Sequence, residues 1–554
     1  MKKCIYILIA LLGLTVTSCS QKHLEIPQKS VDDLETYMAN AGEAEVNKLV
    51  ASIYRGMHNC YDRPWILIAN EITGENYAGG SDPADQPFHV KFSTLAITAD
   101  NGQLGDVWNN FYNTIYRCNL VIDKLAGEES YKVRARAEAK AVRAWCHTNL
   151  VMCFGDVPLV DHLLEVEEYE MARTPKDQVW AAIEADFKFA AADLPSKSGL
   201  GGQKAIGGRW TKEAALGYLA KAQLYQGKYA DAVTNLNAVI GSGKYKLLDN
   251  YADIHRLAGD YSDEYLMEIS NDATNQDEIS NSVVNDYHRY GGLRPELVYH
   301  PDELWANSWG FLNATAAFGI EAIAHDGDAP RRLANVASFD EFIATDGNKF
   351  GFHYTANPAG LKADWFSSDG FARLKGLTYN ADRDIAGISP NTQYSNANWP
   401  ILRYADILLM YAECAANGAG DKAKGLEYFN MVRNRAGLDN AAALSMDDPK
   451  TGIKAERRFE FFFENAERWY DLLRWGDFVS ERQRQYTTYA PMWTAYPFLV
   501  KDASTGTVPT WNPGGPAVRW MATDNEKPDA HHALLPIPYA EMTANPSLKQ
   551  NPGY

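Results

Sequence analysis

Apolar residues recur three or four positions apart through much of the first half of the chain, which is the spacing of one face of an α-helix. The clearest case is Gly105 to Leu125, where tryptophan, phenylalanine, tyrosine and isoleucine follow this period. Tyr131 to Phe154 is a second amphipathic segment, and Lys176 to Leu194 is a third, with a proline before it and another after it. The pattern predicts a chain that is mostly α-helical.

Two later segments have the small and apolar residues of paired helices. Thr211 to Ile240 carries Ala222, Gly227 and Ala232 where a tetratricopeptide repeat places its small residues and its turn. Small side chains let two antiparallel helices approach closely, and glycine permits the tight turn between them. A related pattern recurs from Leu408 to Ala436. We therefore expect a mostly α-helical fold, in which tetratricopeptide-like helical hairpins form a scaffold with long irregular loop insertions.

The segment between these hairpins, residues 244–398, is rich in Gly, Asn, Asp, Tyr and Trp and has few long periodic runs. A second irregular region, Tyr486 to Asp529, is interrupted by six prolines. Long loops in a compact protein are usually functional, because a rigid scaffold can present variable side chains on them. We expect the ligand specificity to be determined by these loops.

The first nineteen residues indicate export. Lys2 and Lys3 precede an apolar run from Ile5 to Val16, which suits the core of a secretory signal and is too short to span a bilayer as a helix. The run ends in small residues before Cys19, a pattern that resembles a bacterial lipobox. That resemblance implies cleavage before Cys19 and acylation of its thiol, palmitate being one such group. An ordinary signal peptide that happens to contain a cysteine is the alternative.

Charge and cysteine content exclude some classes of function. The formal net charge is −18, and a protein this acidic is repelled by phosphate backbones, so we expect no nucleic-acid partner. After Cys19 there remain five cysteines without CxxC spacing, from which we expect neither a structural disulfide nor a cysteine-based metal site. Aromatic residues are abundant, with 14 Trp and 31 Tyr, more than a core alone requires.

One dense segment, Glu456 to Phe478, alternates aromatic residues with arginines and carboxylates. It predicts a single buried helix whose charges are paired, because an unpaired buried charge is costly. The segment also resembles the C-terminal signature of the SusD/RagB family of Bacteroidetes outer-membrane lipoproteins. Other segments similar to motifs of this family are Val107 to Tyr112 with Arg117 to Asn119, Trp399 to Glu413, Asn430 to Gly437, and His532 to Tyr554.

The resemblance implies a lipoprotein of the cell outer membrane, held by a lipid anchor and exposed at the cell surface. Such a protein binds an oligosaccharide and delivers it to a SusC-like TonB-dependent transporter. The alternative within the family is a peptide-binding member. On this basis we divide the chain into a signal peptide (1–18), a lipidated linker (19–30), an N-terminal helical region (31–243) and a C-terminal region (244–554) that contains the ligand-binding insertion (about 244–398).

An enzyme, such as a surface glycoside hydrolase, is the less favoured class. The sequence has no HExxH, GxSxG or P-loop motif, and among 71 acidic residues some pair always lies at glycosidase spacing. The adjacent His531 and His532 are interpreted as surface residues, and Asp326-Gly327-Asp328 is too short for a calcium loop. We therefore expect no catalytic residues, no cofactor and no metal.

A sugar presents an apolar C–H face and a rim of hydroxyls, so its site needs flat aromatic side chains beside planar polar ones. The stretch from Trp65 to Asp85, interpreted as a loop after the first helices, and the insertion both supply such residues. The predicted ligand-binding residues are Trp65, Glu71, Asn76, Tyr77, Tyr290, Arg294, Trp305, Trp309 and Trp365. The tryptophans on apolar helical faces, which we expect in the core instead, are Trp108, Trp145, Trp469 and Trp475.

Overall fold

The computed structural model describes residues 34–61, 63–77, 79–80, 85–197, 208–271, 291, 308–338, 341, 371–382, 395–489, 498–500, 510–512 and 528–554. It contains two compact units. The first ends at Gly42 and includes helix α1 (Leu34–Asn40), and the second runs from Glu43 to Tyr554. The signal peptide, Cys19 and the linker expected from the sequence lie outside the described residues.

The second unit is built mainly from α-helices. They are α2 (Glu43–Cys60), α3 (Arg63–Glu71), α4 (Pro87–Thr94), α5 (Gly102–Lys124), α6 (Ser130–Phe154), α7 (Lys176–Asp193), α8 (Lys212–Tyr225), α9 (Tyr229–Gly241), α10 (Ala316–Asp326), α11 (Pro330–Asn335), α12 (Tyr404–Ala416), α13 (Lys422–Ala436), α14 (Ile453–Glu460), α15 (Glu467–Trp475), α16 (Phe478–Tyr489) and α17 (Tyr539–Ala544).

Helices that follow one another along the chain pack side by side. Helix α6 packs against α5 and α7, α8 packs against α7 and α9, and α9 continues the array onto α12 and α13 across the insertion. The turn between α8 and α9 passes through Gly227, whose φ of +72° is a conformation that L side chains rarely adopt. The prediction of a mostly α-helical fold with a scaffold of helical hairpins is confirmed.

The starts of the hairpin helices are fixed by side chains that cap free backbone N–H groups. Thr211 Oγ1 accepts a hydrogen bond from the Ala214 N–H at 3.2 Å at the start of α8. Asp421 Oδ1 accepts from Ala423 and Lys424 at 2.8 and 3.1 Å at the start of α13. The boundaries of both hairpins are therefore encoded locally.

Short antiparallel strand pairs join distant parts of the chain. The pairs are β1 (Asn76–Tyr77) with β3 (Asn313–Ala314), β2 (Tyr265–Ile269) with β6 (Trp399–Arg403), β4 (Val336–Ser338) with β5 (Phe371–Arg373), and β7 (Phe498–Val500) with β8 (Thr510–Asn512). Strands β2 and β6 pair from Tyr265 opposite Arg403 to Ile269 opposite Trp399. This ladder holds together the two points at which most of the insertion leaves the scaffold and returns to it.

The segment 456–478 is two helices rather than the single helix expected from its sequence. Between α14 and α15 the chain turns, with positive φ angles of 59° at Phe463 and 50° at Asn465. The turn buries three successive phenylalanines, 461–463, whereas a helix would point successive side chains about 100° apart. It also brings Glu464 to Arg403, whose Nε donates to the carboxylate at 2.8 Å. Burial of these side chains outweighs the helical propensity of the segment.

The charges of this segment are paired, as expected. Arg457 is 1% exposed, and its guanidinium donates to Asp406 and to Asp471 at 2.7 Å each. Lys221 of α8 donates to Asp406 at 2.9 Å and also contacts Glu467. We call these five residues the core ion network. It connects α8, α12, α14 and α15, so the first and second halves of the chain share one buried set of charges.

None of the described helices combines the length and the apolar content that a membrane span requires.

Candidate functional site

Two segments that the sequence analysis singled out lie side by side. Strand β1 pairs with β3, with Asn76 opposite Ala314 and Tyr77 opposite Asn313. The pairing continues at Thr315, whose N–H donates to the Glu75 carbonyl at 2.9 Å. The segment that carries Trp309 is therefore held next to residues 75–77, 79 and 80, although more than two hundred residues separate them in sequence. We call residues 75–77, 79 and 80 together with 308–315 the loop face.

Glycines make the close approach within the loop face possible. The Gly80 N–H donates to the Gly310 carbonyl at 3.3 Å. A Cβ atom at Gly79 would lie 2.1 Å from the same carbonyl oxygen, and Gly79 has a φ of +70°. A side chain at this position would force the two backbones apart. The contact therefore requires glycine at position 79.

Arg373 supports the Trp309 segment from behind. Its Nε donates to the Leu312 carbonyl at 3.0 Å, and its backbone N–H reaches Asn313 Oδ1 at 3.4 Å. The guanidinium carbon lies 3.6 Å from the ring centroid of Phe463. Burial lowers the pKa of Arg373 to about 9, because the charged group is withdrawn from water. The loop face is thus attached to the turn between α14 and α15, not suspended in solvent.

The predicted site residues within the loop face differ in their roles. Trp309 is half-buried, so part of its side chain reaches the surface. Asn76 is 2% exposed, and its Nδ2 donates to the Leu312 carbonyl at 3.0 Å, which makes it a brace between the two segments and not a ligand group. For Tyr77 the structure describes the strand pairing of the backbone.

Two predicted ligand-binding residues belong to the core instead. The stretch from Trp65 to Glu71 is part of helix α3 and not of a loop. Trp65 is 1% exposed, and its ring lies 5.4 Å from that of Phe111 and 6.3 Å from that of Trp469. A side chain enclosed in this way cannot stack on a sugar at the surface.

Glu71 is fully buried beside His89, with 3.9 Å between Glu71 Oε2 and His89 Nδ1. Burial raises the pKa of Glu71 well above its ordinary value, since the ionised carboxylate would lose its hydration. Its position at the end of α3, beneath the loop face, makes it a structural residue. The expectation that Glu71 contacts the ligand is therefore corrected.

The other predicted ligand residues, Tyr290, Arg294, Trp305 and Trp365, lie outside the described residues. Among the tryptophans expected in the core, Trp108, Trp145 and Trp469 are buried, at 4%, 2% and 0% exposure. Trp475 is half-buried instead, because α15 ends at this residue and one side of its ring faces a groove.

The histidines near the C-terminus also differ from expectation. His532 is buried, and its Nδ1 accepts from the Asp529 N–H at 3.2 Å. His531 contacts the Asp529 carboxylate, and the two imidazole rings lie 3.7 Å apart. These contacts cap a short 3₁₀ helix, Ala530–Ala533. Capping therefore explains why the side chains of Asp529, His531 and His532 lie together.

The loop face is suited to binding. It combines the half-buried indole of Trp309 with two backbone segments that pack closely and are held together by side-chain hydrogen bonds. Its acidic side chain, Glu75, is 2% exposed and accepts from Arg458 and Arg468 at 2.6 and 2.9 Å. Sequence reasoning missed the bracing role of Asn76 and Arg373. The adjacent Gly79-Gly80 is the sequence signal for a close backbone contact.

Comparisons with known proteins agree with this fold. A sequence model described as "SusD family" matches residues 247–554, and one described as "Starch-binding associating with outer membrane" matches residues 29–224. A SusD-like protein of Bacteroides ovatus is 24% identical, over 99% of this chain and 97% of its own.

Solved structures are similar over nearly the whole chain. A laminarin binding SusD-like protein has a TM-score of 0.70 at 23% identity and covers 92% of this chain and 99% of its own. Surface glycan-binding protein A from Bacteroides thetaiotaomicron, in complex with laminarihexaose, has a TM-score of 0.66 at 20% identity, with the same coverage of 92% and 99%. Both proteins are described as binding proteins.

Proposed function

The chain belongs to the SusD family, and we propose that it captures an oligosaccharide at its loop face. The main observation in support is the pairing of strand β1 with strand β3. This pairing holds the half-buried Trp309 at a surface that side-chain hydrogen bonds brace. Two solved structures of similar fold are named for laminarin or contain laminarihexaose, which supports a glycan as the ligand class. Tyr290, Arg294, Trp305 and Trp365, together with Tyr77, remain proposed members of the same site.

Replacing Trp309 by alanine is expected to weaken oligosaccharide binding by about 1–3 kcal/mol, the usual contribution of an aromatic anchor. The melting temperature should change little, because the side chain is only half-buried. Isothermal titration calorimetry with laminarihexaose and other neutral oligosaccharides measures the first quantity, and thermal unfolding measures the second.

Trp65→Ala is the matched control, since it removes the same side chain from the core. It is expected to cost about 3–5 kcal/mol of stability. If Trp309→Ala unfolds the protein to the same degree, Trp309 is a core residue and the loop face is not the site. Binding of neutral peptides, and not of any oligosaccharide, would favour the peptide-binding alternative.

We further propose that a lipid on Cys19 tethers the protein to the outer membrane, and that it passes its ligand to a SusC-like TonB-dependent transporter. The family model whose description includes association with the outer membrane supports this location. Tethering confines the protein to a surface and so raises its effective concentration toward a neighbouring transporter. A binding protein without catalytic groups serves uptake only when its ligand is passed on.

Purification of the tagged, full-length protein in mild detergent is expected to recover a large outer-membrane transporter with it. Mass spectrometry of the eluate identifies the second protein. Recovery of the lipoprotein alone, under conditions in which other lipoprotein–transporter pairs of this kind survive, would contradict the transporter proposal and leave the glycan proposal standing.

A further inference from the structure

A groove of about 680 Å³ lies between helices α10, α14, α15 and α16. This volume is within the range of about 300–1,000 Å³ that is usual for ligand sites. Apolar side chains along it are Ala324, Ala455, Phe459, Leu472 and Trp475. None of the residues that line the groove belongs to the loop face, so any ligand held here occupies a different place.

Trp475 is fixed in orientation before any ligand arrives. Its Nε1 donates to Glu413 at 3.0 Å, and the Arg474 guanidinium carbon lies 4.6 Å from the ring centroid. Arg474 Nη2 in turn donates to Glu413 at 2.7 Å. A preorganised indole loses little conformational entropy when a ligand stacks on it, which favours binding.

Charges in the groove are compensated by pairing. Lys454 Nζ lies 2.8 Å from Asp447 and 2.7 Å from Asp477. Arg484 pairs with Glu321 at 2.6 Å and with Glu481 at 2.8 Å.

In all, five basic and four acidic side chains line the groove, and Glu75, which accepts from Arg458 and Arg468, supplies a fifth carboxylate. A charged ligand that pairs with one of these ion-paired groups would have to displace its present partner. An uncharged, hydroxylated ligand can instead use the remaining donors and acceptors of the paired groups.

Two buried nitrogens in the groove wall have no hydrogen-bond partner in the described part of the chain: Arg458 Nη2 and His325 Nε2. Their side chains are 9% and 5% exposed. His325 Nδ1 lies 2.5 Å from Asp326 Oδ1, and Nδ1 is the donor in this contact because a carboxylate only accepts. Arg458 Nη2 is a donor, and a hydroxyl group, which both donates and accepts, can pair with either nitrogen.

We propose that this groove is a second binding site of the protein and that its ligand is a neutral oligosaccharide. The indole of Trp475 stacks on a C–H face of a sugar ring, and the wall nitrogens and ion-paired groups bond the hydroxyls around it. The groove and the loop face adjoin through the contacts of Glu75 with Arg458 and Arg468, but they have no lining residue in common. The chain therefore holds either the same glycan at two places or two segments of one longer glycan.

Fluorine NMR of the soluble Ser20–Tyr554 protein labelled with 5-fluorotryptophan tests this proposal. Trp475→Phe and Trp309→Phe assign the resonances of the groove and of the loop face. Titration with laminarihexaose, cellohexaose, maltohexaose and xylohexaose should shift the Trp475 resonance with at least one of the four, in a saturable way.

Ala324→Tyr blocks the groove with a side chain introduced at an exposed position of α10, and should weaken that response at least about tenfold. Ala230→Tyr, at an exposed position of α9 outside the groove, is the matched control and should leave it unchanged.

Three results overturn the proposal: no Trp475 shift with any of the four sugars, an equal shift in Ala324→Tyr, or a shift produced by a neutral tetrapeptide and by none of the sugars. If sugars shift the Trp309 resonance and none of the four shifts that of Trp475, the second site is overturned while the function proposed for the loop face is supported.

Discussion

Replacing Arg457 by alanine is expected to destabilise the protein by about 3–5 kcal/mol, because Asp406 and Asp471 would each lose a buried cationic partner. Burial by itself lowers the pKa of Arg457, but the charges of Asp471 and Asp406 outweigh burial and raise it well above its ordinary value. Asp406 and Asp471 are each 2% exposed, so water cannot replace the guanidinium without rearrangement. Urea unfolding followed by circular dichroism measures the loss.

Lys188→Ala is the control, because it removes an ion pair whose cation is exposed and not buried. Lys188 is 58% exposed in its side chain and pairs with Glu184 at 3.1 Å within α7. A pair of this kind contributes about 0–1 kcal/mol, since water competes for the exposed lysine and Glu184 keeps Lys228 as a second partner at 2.6 Å. Equal losses in the two variants would mean that the buried network is no more important to stability than a surface pair.

Replacing Cys19 by alanine is expected to move the protein from the membrane fraction to the soluble fraction. A lipid chain contributes about 0.8 kcal/mol for each CH₂ group buried in the bilayer, and the variant has no thiol on which to carry one. The measurement is fractionation of cells after carbonate washing, followed by immunoblotting.

Cys4→Ala is the matched control, because it changes a cysteine that is removed with the proposed signal peptide. This variant should remain in the membrane fraction. Cys19→Ala protein that still sediments with the outer membrane after the wash would contradict the lipid anchor. Protease digestion of intact cells then tests surface exposure separately.

The helical scaffold could be predicted from the sequence because its signals are local. The apolar period of residues 105–125 and 131–154 corresponds to α5 and α6, and Gly227 marks the turn between α8 and α9. Such signals depend on neighbours three or four positions away, which a sequence displays directly. The family could also be recognised from the sequence, through the motifs between Trp399 and Tyr554.

The site was less predictable because burial depends on contacts between distant segments. Helix α3 is buried on every side from Pro64 to Glu71, so it has no polar face from which a helical period could be read. Its tryptophan and glutamate consequently looked like loop residues. For Trp475 the error was the opposite. It lies on an apolar helical face, but α15 ends at this residue and leaves its side chain partly exposed.

The core ion network also determines how relatives of this protein can be recombined. Lys221 lies in the segment matched by one sequence model, residues 29–224, whereas its partners Asp406 and Glu467 lie in the segment matched by the other, residues 247–554. A chimera joined between these segments inherits the cation from one parent and the carboxylates from the other. Such a chimera should fold only when the parent that supplies the carboxylates also has, in its own sequence, a cation at the position of Lys221. Similarity of the surrounding apolar residues does not replace this requirement.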